Sequence, residues 1–292
     1  CPSCGACSFM GTASTMQVMA EALGLMLPGS ALMPATSKDL REFAKKAGKQ
    51  AVWLAEHNLT PDKIVTMKSF ENAIMVHAAI SGSTNSLLHI PAIAREFGIE
   101  IDGDTFDRLH RGAHYLLNIR PAGEWPAQFF YYAGGVPTIM EEIKDMLHLD
   151  VMTVTGKTLG ENLEELKKNG FYDKCQSYLD QWNLKREDVI RPFDRPFGTD
   201  GSIAILKGNL APDGSVVKRS AVCAEMLVHE GPAWIFESDE EATEAIKSGK
   251  INPGDVIVIR YEGPKGGPGM REMLNPTSAI AGYGLGSSVA LI

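Results

Sequence analysis

The chain has 292 residues, of which 44% are hydrophobic and 22% are charged, and its formal charge at pH 7 is −8. A chain of this length can bury a sizeable core, in one large domain or in two ordinary ones. The acidic balance argues against a surface that binds nucleic acid or an anionic membrane, and no apolar run reaches the roughly eighteen residues of a transmembrane helix.

Three cysteines, Cys1, Cys4 and Cys7, lie within the first seven residues. C-x2-C is a familiar spacing for zinc or iron–sulfur ligands, but no second such pair follows, so spacing alone leaves a metal role and plain packing about equally supported. Cys7 precedes a predicted helix start whose dipole favours a thiolate, which makes it the strongest ligand candidate. The odd number of five cysteines fits a reducing cytoplasm.

The chain does not begin with methionine and it stops in an apolar run. We therefore expect it to be a fragment that lacks both ends of a longer protein. No signal peptide is visible in the sequence.

The first 190 residues predict mainly helices joined by short loops with glycine or proline. A capping-box spacing at Ser14 and Gln17 predicts the start of the first helix. Apolar periodicity and start signals predict further helices at 37–57, from 60, at 71–80, at 87–97 with a kink or late start at a proline, and at 157–168, with a short strand at 151–156.

The composition changes near residue 190. Strand-like runs follow at 202–208, 215–222, 232–238 and 255–263, with turn signals between them and one helix predicted at 238–248. We therefore predict an α/β fold with two domains: an α/β domain at 1–190 and a β-rich, barrel-like domain at 191–292.

Two further motifs are candidates for chemistry. Ser83, Thr84 and Asn85 end the motif SGSTN and are strong helix N-cap residues, so exposed amides there suit a carboxylate or phosphate, although plain capping is favoured about two to one. Glu272 follows a glycine-rich stretch and is a possible Mg²⁺ ligand, although alone it is better interpreted as a solvated surface residue.

Long colinear stretches of the chain resemble the dihydroxyacid and sugar-acid dehydratase family, which includes phosphogluconate dehydratase. They cover most of the chain and are CPSCGACSFMGTASTM (1–16), AISGSTNSLLHIPAIAREFGI (79–99), AGGVPTIMEEI (133–143), TVTGKTLGENL (153–163), IRPFDRPFGTDGSIAILKGNLAPDGSVVK (190–218) and GPKGGPGMREMLNPTSAIAGYGLGSSVALI (263–292).

The resemblance implies a hydro-lyase that removes water from a 2,3-dihydroxy carboxylate and yields a 2-keto-3-deoxy acid. It implies an iron–sulfur cluster held by three cysteines, with 2Fe–2S favoured by analogy with the sugar-acid branch, and a Mg²⁺ ion. Residue by residue, Cys7 matches one cluster ligand and Glu272 matches a Mg²⁺ ligand. Ser83, Thr84 and Asn85 match a signature near the site, without a firm role.

Other residues of the family's site have no counterpart in this chain. These are two cluster cysteines, an Asp and a carbamylated Lys on Mg²⁺, and the proton-abstracting Ser, which we expect beyond Ile292. We therefore expect the 292 residues alone to be inactive. The resemblance also implies a homodimer or a dimer of dimers in the cytoplasm.

The residues near Cys7 lead us to expect an aldonate substrate, most of all D-xylonate, because MGTASTM looks like the sugar-acid branch. Tyr131, Tyr132 and Trp125 support the same choice. The alternative substrate is 2,3-dihydroxy-isovalerate, from branched-chain amino-acid synthesis. Two other classes stay open: a non-catalytic fragment that keeps the fold without the cluster, and, more weakly, a zinc-binding structural domain.

Overall fold

The computed structural model describes residues 7–263 and 273–292. It divides the chain into two compact units, one ending at Ala221 and the other running from Val222 to Ile292. Residues 191–221 belong to the first unit, and the domain boundary near residue 190 stays a prediction.

The first unit is built mainly of helices. They are α1 (Thr12–Ala22), α2 (Asp39–Glu56), α3 (Pro61–Ile64), α4 (Met67–Ala79), α5 (Ser86–Glu96), α6 (Gly103–Arg111), α7 (Gln128–Tyr132), α8 (Gly135–Glu142), α9 (Leu159–Lys168), α10 (Phe171–Asp180) and α11 (Arg186–Val189). A short antiparallel hairpin follows, with strands β1 (Ala204–Leu206) and β2 (Ser215–Val217) in the register Ile205 opposite Val216.

Helix α4 is the centre of this unit. The side chain of Thr66 accepts the backbone N–H of Ser69 in a capping box that starts the helix. From Ser69 onward nearly every residue is buried, and α1, α6 and α8 pack around it. A helix that is buried on all sides needs apolar residues on all sides, which explains why its amphipathic pattern is weak.

The predicted helices at 37–57, from 60 and at 238–248 are confirmed, but three local expectations are wrong. Helix α1 begins after Gly11, with no side-chain cap, and Ser14 lies inside it. Helix α5 begins at Ser86 and contains Pro91, so the late start is wrong, whereas the kink stays a prediction. Residues 151–156 form a turn with a single β-bridge between Met152 and Thr158, because the Thr153 N–H bonds to the Lys157 carbonyl rather than to another strand.

The second unit is a small parallel sheet with helical crossovers. Its elements in chain order are β3 (Ala233–Phe236), α12 (Asp239–Lys247), β4 (Val256–Ile259), α13 (Leu274–Gly282) and β5 (Ala290–Leu291). The strands lie in the order β3-β4-β5, and both pairs are parallel. Its core is formed by apolar side chains from both helices and from the sheet, including Ala242, Ile246, Ile257, Ile280 and Val289.

The mixed helix and sheet composition agrees with the predicted α/β class. The part of the chain that the structure describes contains no barrel, so the expected barrel-like domain is not confirmed. The predicted strands at 202–208 and 215–222 form the hairpin of the first unit instead. The remaining strands are joined through helices, and such crossovers make parallel sheets.

A buried carboxyl group joins α1 to the loop that follows it. Glu21 accepts the backbone N–H of Gly29 on Oε1 and that of Ala31 on Oε2, both at 2.7 Å. Burial raises the pKa of Glu21 to about 7, although these backbone hydrogen bonds favour the charged form. The loop is thus held by a side chain that is protonated in part near neutral pH.

The folded protein therefore binds the Glu21 proton more tightly than the unfolded chain does. The contribution of Glu21 to the free energy of unfolding should decrease as pH rises from 4.5, the ordinary pKa of a glutamate, to about 7, the pKa in the folded protein. E21Q should remove this part of the pH dependence in urea unfolding, on the order of 2 kcal/mol, whereas E96Q at an exposed position should not. An equal difference between E21Q and its parent at pH 4.5 and pH 7 would contradict the assignment.

Candidate functional site

The predicted cluster ligand Cys7 lies just before α1. Its thiol is free and the residue is exposed. Ser14, which is fully buried in α1, donates its hydroxyl to the Cys7 carbonyl at 3.1 Å. This bond folds the segment that carries Cys7 back onto the first turns of the helix. No side chain caps the helix start at Gly11, so the first backbone N–H groups of α1 keep their partial positive charge.

The SGSTN loop, residues 81–85, reaches the same helix start. The Ser83 N–H donates to Thr15 Oγ1 at 3.0 Å, and Asn85 Nδ2 donates to Thr12 Oγ1 at 2.7 Å. The hydroxyls of Ser83 and Thr12 lie 3.3 Å apart. The structure therefore places the predicted residues Ser83 and Asn85 against the first turns of the helix that Cys7 precedes, with Thr84 between them in the chain.

Plain capping does not describe this loop. Asn85 is the N-cap of α5, but its side chain makes no capping hydrogen bond and instead donates to α1. The loop thus uses its polar side chains to attach two helices to each other. A role in binding for Ser83, Thr84 and Asn85 stays a prediction.

Two buried histidines, His77 and His110, support the SGSTN loop through hydrogen bonds. The His77 Nε2 lies 3.0 Å from the Ser83 carbonyl oxygen, and the His77 Nδ1 lies 3.2 Å from His110 Nε2. The Ile203 N–H donates to His110 Nδ1 at 3.2 Å. We call this chain of three hydrogen bonds the histidine relay.

The histidine relay has one consistent direction. A backbone N–H can only donate and a carbonyl can only accept, so both ends of the relay are fixed. His110 must carry its proton on Nε2 and donate to His77, and His77 must carry its proton on Nε2 and donate to the Ser83 carbonyl. Both imidazoles are therefore neutral in this arrangement.

The surroundings favour the same neutral state. Burial lowers the pKa of His77 to about 4, outweighing the hydrogen bond to Ser83, and the nearby charge of Lys218 lowers it further. Burial also holds the pKa of His110 well below its ordinary value, with a smaller effect from His77. No spacing pattern in the sequence indicates that His77 and His110 meet.

Gly82 lies against the His77 ring. A Cβ atom at this position would overlap the imidazole carbon Cδ2 and lie 2.5 Å from Nε2. The close approach is what lets the imidazole reach the carbonyl of the next residue. Glycine is therefore required here for space rather than for backbone conformation.

Among the described residues, a further group of acidic side chains could hold a metal ion. Cys1, Cys4 and Glu272 lie outside the described residues. In the second unit, oxygen atoms of Asp239, Glu240 and Glu262 all lie within 4.8 Å of one another, and the Asp239 N–H donates to Glu262 Oε1 at 3.3 Å. Oxygen ligands suit a hard cation such as Mg²⁺, but exposed acidic groups are also common without one.

Comparison with sequence families identifies the group to which these elements belong. Residues 1–162 match the family profile described as "Dihydroxy-acid/6-phosphogluconate dehydratase N-terminal", and residues 188–292 match the corresponding C-terminal profile. The chain belongs to this dehydratase family. Cys7, α1 and the SGSTN loop all fall within the N-terminal match.

Several curated relatives are about half identical to the chain over its whole length. Proteins named dihydroxy-acid dehydratase from Acetivibrio thermocellus and Nitratidesulfovibrio vulgaris are 51% and 49% identical, and dihydroxy-acid dehydratase 1 from Methanosarcina acetivorans is 50% identical. Each match covers 100% of this chain and 50% or 51% of the relative. The chain therefore spans about half the length of the curated relatives it matches.

None of these three names refers to an aldonate, the substrate that the residues near Cys7 lead us to expect. The structure gives a physical reason for the difference. Ser14 and Thr15 of the MGTASTM segment are fully buried, and Tyr131 lies buried near Tyr132 and Tyr178. Such residues report on packing more than on substrate. Among the described residues, none of the helices is long and apolar enough to cross a membrane.

Replacing Gly82 tests the contact between the SGSTN loop and the histidine relay. G82A should destabilise the protein by about 1–3 kcal/mol, because the new methyl group must displace a packed ring. G48A is the matched control: Gly48 lies within α2 with nothing near its added methyl group, so this change should stabilise by about 0.5–1 kcal/mol. Urea unfolding measures both; a G82A variant as stable as its parent would contradict the close approach.

The neutral state of the relay predicts a loss of stability in acid. The unfolded chain binds protons on these histidines below the ordinary pKa of 6.5, while folded His77 resists protonation down to about 4. The contribution of His77 to stability should therefore decrease as pH falls through this window, on the order of 2 kcal/mol.

The H77Q variant should lose stability less steeply than its parent between pH 6.5 and pH 4, as measured by urea unfolding. H57Q at an exposed position should follow the parent. Because both comparisons are made against the parent at the same pH, the opposite effect of Glu21 cancels. Parallel curves for H77Q and its parent would show that His77 is not held neutral.

Proposed function

We propose that this chain is part of a dihydroxy-acid dehydratase, a hydro-lyase that removes water from a 2,3-dihydroxy carboxylate. The product is an enol that tautomerises to a 2-keto acid. One observation carries the proposal: about 50% identity over the whole chain to several proteins of that name. 2,3-Dihydroxy-isovalerate is the substrate we favour, and an aldonate such as D-xylonate is the competing one.

The described residues near α1 suit this chemistry. Cys7 offers an exposed thiol shortly before the start of α1, and cysteine sulfur is the usual protein ligand of iron–sulfur clusters. Thr12, Ser83 and Asn85 place two hydroxyls and an amide beside the same helix start. Such groups can exchange hydrogen bonds with the hydroxyls of a polar substrate.

The proposal includes two cofactors. Cys7 would be one of three cysteine ligands of an iron–sulfur cluster, and Glu272 stays the predicted Mg²⁺ ligand. When bound, such a metal centre supplies a Lewis acid that makes hydroxide a better leaving group. The 2Fe–2S type stays a prediction, and iron and sulfide analysis of the full-length protein tests it. A homodimer or homotetramer and a cytoplasmic location also stay predictions.

The first test is turnover by the full-length protein that contains this chain, purified without oxygen and assayed with Mg²⁺ for 2-keto acid formation. We expect turnover of 2,3-dihydroxy-isovalerate and little or none of D-xylonate. Turnover of D-xylonate alone would overturn the substrate and restore the sugar-acid alternative. No iron and no turnover of either acid would favour the non-catalytic alternative.

The second part of the test concerns Cys7. C7S should lose visible absorption, bound iron and activity, because one cluster ligand is removed. C223S is the matched control, since Cys223 is also a free and incompletely buried thiol. Equal iron content in C7S, C223S and their parent would exclude Cys7 as a ligand. Stoichiometric zinc in place of iron would favour the structural zinc alternative.

A further inference from the structure

A lysine from the hairpin reaches the SGSTN loop. Lys218 directly follows β2, and its Nζ donates to the Ser81 carbonyl at 2.9 Å. Two residues later, the hydroxyl of Ser220 lies 2.7 Å from the hydroxyl of Ser81. The segment after β2 therefore binds both the backbone and the side chain of the first loop residue.

The charge of Lys218 is not balanced within the described residues. Burial alone lowers its pKa to about 8, from an ordinary value of 10.5. No carboxylate in residues 7–263 or 273–292 forms an ion pair with it, whereas neighbouring Arg219 pairs with Asp200 at 2.9 Å. A half-buried ammonium group is costly unless an anion or several acceptors bind it.

The ammonium group of Lys218 has more N–H donors than its described hydrogen bond uses. It carries three N–H bonds, and the Ser81 carbonyl accepts one of them. No second hydrogen-bond acceptor for Lys218 Nζ is present in the part of the chain that the structure describes. Up to two donors are thus left for a ligand at the start of the loop.

The backbone of the loop is strained at the same place. Ser81 has a φ of +53°, in the left-handed region that non-glycine residues rarely adopt. Contacts at two loop residues maintain this strain. Lys218 and Ser220 bind Ser81, and the histidine relay binds the carbonyl of Ser83. Strain of this kind is typical of sites that must present groups in a fixed geometry.

We infer that Lys218 binds the carboxylate of the substrate at the SGSTN loop. This inference rests on the proposed function, which requires an acid as substrate. Two oxygens of a carboxylate can accept the two remaining N–H groups, and the charge that burial leaves unbalanced is then neutralised. Ser83 lies two residues after Ser81 in the loop, and its hydroxyl lies beside that of Thr12 at the start of α1. The same helix contacts the Cys7 carbonyl through Ser14. The other possibility is that Lys218 only fastens the loop.

The first experiment compares variants of the full-length protein. K218M should raise the KM for 2,3-dihydroxy-isovalerate by about 10- to 100-fold, the effect of losing a charged hydrogen bond. The inhibition constant of the corresponding carboxamide should change little, because it carries no charge to lose. K218R should retain most of the preference for the acid. K207M is the matched control, because Lys207 is an exposed hairpin lysine that pairs with Asp104 at 2.6 Å.

The second experiment needs no variant. In the unmodified full-length protein, acetic anhydride should acetylate Lys218 at pH 8, and mass spectrometry measures the extent. Saturating 2,3-dihydroxy-isovalerate should protect Lys218 by at least several-fold, while the carboxamide should not. Lys207 serves as the internal reference. This measurement decides the question if K218M does not fold.

The outcomes separate the two proposals. If the parent turns over the dihydroxy acid and K218M behaves like K207M, Lys218 does not bind the carboxylate and the proposed function stands. A parallel loss of affinity for acid and carboxamide in K218M would indicate loop fastening alone and overturn the inference. If Lys218 is not acetylated, or if the acid does not protect it from acetylation, the inference is also overturned. If only D-xylonate is turned over, the proposed substrate fails, and the same tests apply with xylonate and xylonamide.

Discussion

The site depends on two neutral histidines that are buried side by side. Each imidazole donates on one side and accepts on the other, so a proton added to either ring replaces an acceptor with a donor. The backbone N–H of Ile203 fixes the direction of the hydrogen bonds in the relay, which ends at the carbonyl of Ser83. The position of the SGSTN loop is thus determined by groups more than one hundred residues apart in the chain.

The polar contacts around this relay follow one design. Thr15 accepts from the loop backbone, Ser14 donates to the segment of Cys7, and Glu21 accepts from the loop after α1. All three side chains project from a single helix and are buried. Because a buried polar group without a partner is costly, each contact resists displacement of the segment it binds. Helix α1 therefore orders three separate stretches of backbone.

The sequence predicts local features well and long-range ones poorly. The side-chain cap of α12 at Ser238 and the apolar periodicity of α2 are readable because the information lies within a few residues. The start of α1 was not, because Ser14 donates to a preceding carbonyl instead of capping the helix. The parallel sheet and the contact of Lys218 with Ser81 depend on which distant segments of the chain meet. Hydrophobic periodicity and composition do not contain this information. The family resemblance located Cys7 and the SGSTN loop, but only geometry brings His77, His110 and Lys218 to them.

The β1–β2 hairpin has a consequence for how this region opens. Ile203, just before its first strand, starts the relay, and Lys218, just after its second strand, contacts Ser81. One lifting motion of the hairpin would break both contacts together and leave two buried rings and a strained residue without support. Partial opening is therefore unfavourable, and the hairpin and the loop should behave as a single cooperative unit of local unfolding. Their amide hydrogens would then exchange with solvent at a common rate, although the two segments are distant in sequence.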